Sequence, residues 1–361
     1  MRTDATPPPV TQAPDTLAAR LRGLAGRWEV LILGLLVITG IFGQYISSKF
    51  LSTASFTSGT LDYSEVALMA LPLALVIITA EIDLSVASVL ALSSAVMGWM
   101  WAEGYSMVTI IVVCLAVGAL CGAFNGALVT QLGLPSLAVT IGTLALFRGL
   151  AFVVIGDRSE TSFPTAWTDW AFDEFAGTPV PNTIALFAVL AVAFAVLLHA
   201  TRFGRAVFAI GANQEAARFS GVRVKRIKMI LFVLCGMVAA LAGIVLTLRN
   251  STAAANVGTG YELTAIAAVV LGGVSIFGGR GTIAGVVLAL LLLAGIQKAL
   301  TLSPDISTAW IPIVVGALLI GSVLGPNLVN RARELRARSR SRGARPPRPG
   351  ASVPTSGGNL E

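Results

Sequence analysis

The chain has 361 residues, of which 55% belong to the apolar set AVILMFWYC, 37 are glycine and only 12% are charged. A soluble domain reaches only about 45 to 50% when glycine is included. The composition therefore excludes an ordinary water-soluble domain and predicts an integral membrane protein. The formal net charge of +7 does not indicate a nucleic-acid partner, because most of the basic residues cluster in segments that flank apolar runs.

Apolar runs follow one another along the chain, each close to the roughly 20 residues that a helix needs to cross a bilayer. The predicted fold class is all-α, with about ten transmembrane helices and with polar or glycine-rich breaks between some of them. The predicted spans are 28–46, 63–80, 84–102, 108–129, 136–155, 183–200, 229–248, 262–277, 282–299 and 309–326.

The two ends differ from the region between them. Residues 1–27 are rich in Pro, Thr and Ala, and residues 327–361 are rich in Arg, Ser, Pro and Gly. Such segments cannot bury enough apolar surface to fold. We predict two disordered termini around a transmembrane domain at 28–326, with anionic membrane lipid as a possible contact of the basic tail.

Basic residues predict the orientation, because cytoplasmic segments hold the excess of Lys and Arg. Arg20, Arg22 and Arg27 closely precede the first span, seven basic residues lie at 202–228, and eight arginines lie at 331–348. Ten spans place all three groups on one side, so both termini and the segment 201–228 are predicted to be cytoplasmic. The loop 156–182 carries five acidic residues and one arginine, which suits the external face.

The first break contains two carboxylates in an otherwise apolar stretch, at Glu81 and Asp83, followed by Ser85. An ionised Asp at the bilayer centre costs about 2.5 to 3.5 kcal/mol even on lenient scales. Two interpretations stay open. The residues either cap the next helix in a tight cytoplasmic turn, or a broken helix presents polar groups to a substrate path.

The second break is rich in glycine and lets the backbone turn and pack closely. It does not match a phosphate-binding loop, because no Lys followed by Ser or Thr comes after a second glycine. We expect no cofactor on this chain, so that ATP and Mg²⁺ would be bound by another polypeptide. Four glycines of this break are candidates for turning the helix or lining the translocation path: Gly272, Gly273, Gly278 and Gly279.

In the predicted topology, the segment between Gly204 and Gly221 is the only sizeable cytoplasmic connection between spans. Within it, 214–220 is predicted to form a short helix that Gly221 closes. The segment is either a contact for a soluble partner or a plain positive-inside loop.

Three isolated polar residues lie inside predicted spans: Asn125, Arg148 and Gln297. Asn125 sits among small residues that allow close helix approach, so a hydrogen bond across a helix pair is its expected role. Arg148 stays charged and must either reach the interface or find a partner in a polar path.

These features resemble a known family, the permeases of bacterial ribose-type ABC importers, over roughly 28–326. The resemblance is carried by Ile82-Asp83-Leu84-Ser85-Val86, by Gly204 to Gly221 and by Glu262 to Thr282. It implies a non-enzymatic, multi-pass subunit of the bacterial inner membrane that forms the path for a monosaccharide. The implied partners are an ABC ATPase, a periplasmic or lipid-anchored sugar-binding protein, and a second permease copy in a homodimer or heterodimer.

In the resembling family the stretch corresponding to Gly204 to Gly221 forms a coupling helix that seats on the ATPase. The resemblance therefore implies a coupling role for these residues of the stretch: Gly204, Arg205, Asn213, Glu215, Ala216, Ala217 and Gly221.

The first break departs from the family pattern, since Ala80, Glu81 and Ala87 stand where glycine is usual. The stretch from Glu81 to Ser88 resembles the rhamnose branch, which makes rhamnose the first expectation for the substrate. Ribose, xylose, galactose and a furanosyl signalling molecule stay open. The alternative function is an ion-coupled secondary transporter, for which Glu81, Asp83 and Arg148 are the candidate relay residues.

Overall fold

The computed structural model describes residues 28–178, 180–303, 307, 309–321 and 324. Over these residues the chain is helical apart from turns and two isolated β-bridges, and it contains no β-strand. The predicted all-α class is confirmed. The chain divides into two units, 1–319 and 320–361; of the second, only Ile320, Gly321 and Leu324 are described. The predicted disordered segments 1–27 and 327–361 lie outside the described residues.

The described helices are numbered here in chain order. They are α1 (Trp28–Ile46), α2 (Thr53–Leu61), α3 (Ser64–Ile78), α4 (Val86–Ala102), α5 (Met107–Thr130), α6 (Ser136–Ile155), α7 (Thr165–Thr168), α8 (Asn182–His199), α9 (Arg202–Ala212), α10 (Gln214–Phe219), α11 (Val224–Asn250), α12 (Tyr261–Leu271), α13 (Ile283–Leu302) and α14 (Trp310–Gly321).

Each of the ten predicted apolar runs contains a helix, but the helices differ in length. Six helices are long and apolar enough to cross a membrane. The helices α2 and α3, which meet at a bend of 56°, give a seventh span if the pair is counted as one broken span. The shorter ones are α4, α12 and α14, with α12 reaching only 11 residues. α4 and α12 are short because the two breaks take residues out of regular helix.

α11 lies at the centre of the bundle and packs against α5, α4 and α3. Its contact with α5 runs through glycine. A Cβ at Gly122 would overlap the carbonyl oxygen of Phe232, and one at Gly236 would overlap that of Gly118. Small residues let two helix backbones approach closely where no water drives them together. The residues of α3 are buried along its whole length by this arrangement.

Two groups of loops collect at opposite ends of the bundle. At one end Glu160 and Ala253 exchange backbone hydrogen bonds of 3.0 and 2.8 Å, so the loops after α6 and α11 meet. At the other end α6 begins beside the first break, where Ser136 Oγ accepts a 3.1 Å hydrogen bond from the amide of Ile82. This places the predicted external loop and the first break at different ends.

An ion pair stabilises the end at which α11 finishes. Arg249 donates to Glu65 across 2.8 Å and to Asp62 across 3.3 Å. Glu65 is fully buried, while the side chain of Asp62 is half exposed. A buried carboxylate needs such a partner.

Candidate functional site

The first break begins after Ile78, where Ala80 has a φ of 61° and the chain leaves the helix. Asp83 is buried, and its Oδ1 accepts hydrogen bonds from the amide (2.9 Å) and hydroxyl (2.6 Å) of Ser85. The carboxylate therefore stabilises the turn that precedes α4. It does not cap the helix as the capping interpretation predicts, because the N-cap residue Ser85 has no side-chain capping bond and Asp83 accepts from Ser85, which precedes α4. The turn lies inside the protein and not at an exposed surface.

Asn125 joins this turn from α5. Its Nδ2 donates to Ser85 Oγ across 2.8 Å, so Asp83, Ser85 and Asn125 form one buried network. The predicted cross-helix role of Asn125 thus reaches the break itself. Its Oδ1 is also buried and has no partner among the described residues, which leaves an acceptor available inside the bundle.

Arg148 lies apart from the carboxylates of the first break. Its guanidinium donates to the carbonyl oxygens of Ala255 (2.9 Å) and Val257 (2.6 Å) and to that of Ala87 (3.3 Å). Arg148 therefore connects the non-helical segment 251–260 to the first turn of α4. Irregular backbone within a membrane protein needs such donors, since lipid offers none.

The second break turns back on the first. Gly273, Gly278 and Gly279 have φ between 75° and 86°, a region that favours glycine. The amide of Gly279 donates to the carbonyl oxygen of Ile78, the last residue of α3, across 2.8 Å. The two breaks, predicted separately, are thus joined by a direct hydrogen bond. Gly272 instead packs against the backbone of Val286 in α13.

Glu81 forms a buried ion pair that the sequence analysis did not identify. Lys228 of α11 donates to Glu81 Oε1 and also to Oε1 of Gln214, which is the first residue of α10. Only 8% of the Lys228 side chain and 15% of the Glu81 side chain are exposed. The sequence did contain a signal, because a carboxylate in apolar surroundings requires a cation and Lys228 is the last residue of the segment 201–228, which is predicted to be cytoplasmic.

A second contact links the cytoplasmic segment to the breaks. Gly211, in the last turn of α9, lies so close to them that a Cβ there would overlap the carbonyl oxygen of Ile78 and the amide of Gly279. We call the set of Ile78, Glu81, Gly211, Lys228 and Gly279 the break junction. Both helix breaks and the cytoplasmic segment meet there.

The predicted cytoplasmic segment forms two helices, α9 and α10, where one short helix was predicted. Asn213 separates them, and its Oδ1 caps α10 by accepting from the amide of Ala216 across 2.9 Å. Gly221 ends the segment with a φ of 85°, as a helix-closing glycine should. The strongly amphipathic α9 packs Val207 and Ile210 inward.

The predicted coupling residues fall into two groups. Gly204 and Ala217 are buried, so they position the helices and present no surface. The exposed members are Arg205, Asn213, Glu215, Ala216 and Gly221. Phe219, which the sequence analysis did not select, is 88% exposed on α10. An exposed aromatic residue on a short surface helix is typical of an anchor for a protein partner.

A cavity of about 390 Å³ lies beside α10. Its walls carry Glu215 and an excess of positive charge. The basic residues that line it are Arg218, Arg223, Lys225 and Arg226. This surface suits acidic side chains of a partner. Among the described residues, no group of three His, Cys, Asp or Glu side chains is placed to hold a metal ion.

Comparison with known proteins places these features in a family. Residues 55–323 match the model described as "Branched-chain amino acid transport system / permease component". The chain is 38% identical to the autoinducer 2 import system permease protein LsrD of Yersinia enterocolitica, over 83% of this chain and 92% of the relative. It is 34% identical to the LsrD protein of Photorhabdus luminescens, over 86% and 94%. No solved structure matches.

Proposed function

This chain belongs to the permease-component family that its residues 55–323 match, and from that membership we propose that it forms the translocation path of an ATP-driven importer of a small sugar-like solute. Its relatives are permeases of import systems. Together with the apolar helices, they indicate a multi-pass inner-membrane protein, and they support a transport role in which another subunit hydrolyses ATP.

The break junction is the observation that supports this proposal most strongly. A cytoplasmic segment with an exposed surface contacts both helix breaks, through Lys228 on one side and Gly211 on the other. A displacement of α10 would therefore be transmitted directly to the backbone that interrupts the helices. Coupling of this kind requires that two states differ in their contacts at both places.

The proposed partners follow from these surfaces. An ABC ATPase, carrying ATP and Mg²⁺, would seat on α10 with Phe219 and the basic cavity as its contacts. A sugar-binding protein would dock at the opposite end, near the acidic loop 156–182. A second permease copy, identical or related, would complete the path. The distribution of Lys and Arg supports a cytoplasmic location of α9, α10 and both termini.

Autoinducer 2 is the first candidate substrate, because the relatives at 34 to 38% identity are named for its import. It falls within the furanosyl signalling molecules that the sequence analysis left open. Rhamnose is the second candidate, supported by the residues at Glu81 to Ser88. Both are small, hydroxyl-rich solutes.

The test is uptake by proteoliposomes that contain the permease, its ATPase and its binding protein. We expect uptake that requires ATP and the loaded binding protein, with autoinducer 2 preferred over rhamnose, ribose, xylose and galactose. Vesicles without the ATPase serve as the control. Uptake by those control vesicles in response to a proton or sodium gradient would overturn the proposal and support the secondary transporter.

A further inference from the structure

A cleft runs along α13 on the side that faces α1 and α2. Its larger part is a cavity of about 450 Å³, and a smaller cavity of about 100 Å³ continues it toward α8. The two share the side chains of Phe56, Thr60, Leu291 and Ala294. The cleft therefore consists of two neighbouring cavities that share part of their mainly apolar walls.

One cation lies in this apolar space. Lys298 lines the larger cavity, and its amine donates to Ser58 Oγ across 2.8 Å. Among the described residues, no carboxylate lines either cavity. A lysine within an apolar helix is costly unless it reaches water or finds an anion, and a hydroxyl supplies no negative charge. The cleft thus combines a positive charge with surfaces that favour hydrocarbon.

The position along α13 is also informative. Lys298 lies 16 residues after Thr282, which corresponds to about 24 Å along the helix axis. The cleft is therefore at the end of α13 opposite the break junction. A lysine near the end of a transmembrane helix can extend its amine to the level of the lipid headgroups at the nearby membrane surface.

We propose that this cleft binds one anionic phospholipid, whose phosphate pairs with Lys298 and whose acyl chains occupy the two cavities. The charge and the walls favour this ligand together. A free phosphate ion would satisfy the amine but leave the apolar surface empty, and a neutral lipid would fill the space but leave the charge unpaired. The site is independent of the proposed transport function.

Two variants separate the contributions of charge and space. Lys298→Met removes the charge and keeps the length of the side chain. Gly40→Leu keeps the charge and fills the larger cavity, because a Cβ at Gly40 meets no atom within 4 Å. Lys49→Met is the matched control, since Lys49 is an exposed lysine near α2 that does not line the cavity.

The experiment measures the phosphatidylglycerol that the full chain retains after purification, by native mass spectrometry. Thermal unfolding in nanodiscs of phosphatidylcholine, with or without phosphatidylglycerol, gives a second readout. We expect retention by the wild type and Lys49→Met, and a loss of about tenfold or more in Lys298→Met, as one charge-assisted contact implies. Gly40→Leu should lose the lipid too. Phosphatidylglycerol should raise the unfolding temperature of the wild type but not that of Lys298→Met or Gly40→Leu.

If either Lys298→Met or Gly40→Leu retained as much phosphatidylglycerol as the wild type, the proposal would be overturned. Stabilisation of the wild type by inorganic phosphate, equal to that by phosphatidylglycerol, would also overturn it, because the site would then be specific for the ion only. Neither outcome depends on ATP-driven uptake, so failure here and failure of the proposed function are distinguishable.

Discussion

The amide nitrogen of Gly279 donates a hydrogen bond to the carbonyl oxygen of Ile78 across 2.8 Å. This bond connects the end of α3 to the loop between α12 and α13, so the two helix breaks form one structural unit. Gly211 of the cytoplasmic segment packs against both atoms. A movement of that segment should therefore affect both breaks.

Replacement of Gly211 by valine should disrupt this contact, because the new Cβ would overlap the carbonyl oxygen of Ile78. Overpacking of this kind costs about 1 to 3 kcal/mol. We expect a lower unfolding temperature in detergent and a loss of ATP-driven uptake. Gly142→Val is the control, since no atom lies within 4 Å of a Cβ there. Wild-type stability and uptake of Gly211→Val would contradict the close packing.

Replacement of Phe219 by serine should weaken binding of the ATPase while leaving the fold intact, because this side chain is 88% exposed. A buried aromatic anchor contributes about 2 kcal/mol or more to an interface, so affinity should fall at least about thirtyfold. Co-purification and titration with the ATPase measure the effect. Phe172→Ser, at a residue 52% exposed in the loop between α6 and α8, should bind normally. Equal affinity of both variants would place the interface elsewhere.

The neighbouring residues Ala216 and Ala217 should respond differently to glutamate. Ala217 packs with Ile210 and Val224, so Ala217→Glu would bury a carboxylate and should destabilise the cytoplasmic segment. Ala216 is exposed, so Ala216→Glu should fold normally and interfere only with the ATPase. Limited proteolysis of the segment, compared with ATPase binding, distinguishes the two effects. Identical behaviour of the two variants would argue against the described orientation of α10.

The buried pair of Glu65 and Arg249 should contribute to stability more than its exposed neighbour. Removing one partner of a buried pair costs about 3 to 5 kcal/mol, so Arg249→Met should lower the unfolding temperature markedly. Asp62→Asn alters a side chain that is half exposed and should change stability by less than about 1 kcal/mol. Equal unfolding temperatures for the two variants would contradict the burial of this pair.

The helices and the position of the breaks could be predicted from the sequence, because both leave local signals. Apolar runs of membrane length mark the spans, and Asp83 or Gly279 interrupts them. The short helix that Gly221 closes was predicted for the same reason. Local patterns also indicated that Arg148 needs a partner, although they did not identify the carbonyl groups that it binds.

The break junction could not be predicted in this way. The contact between Ile78 and Gly279 joins distant parts of the chain through backbone atoms, and side-chain chemistry does not indicate such a bond. Ala217 differs from Ala216 only in the direction in which it faces, which depends on how α10 packs on α11. Phe219 was missed because an exposed aromatic residue has the same sequence signature as a buried one.

The ion pair of Lys228 and Glu81 tests the central claim most directly, because it connects α11 and α10 to the first break. The measurement is ATP hydrolysis by the nanodisc complex with and without the loaded binding protein. We predict that Lys228→Glu and Glu81→Lys each retain the ATPase but lose stimulation by the binding protein, and that the double variant, which restores opposite charges, regains much of it. Wild-type stimulation in both single variants would contradict coupling through the break junction.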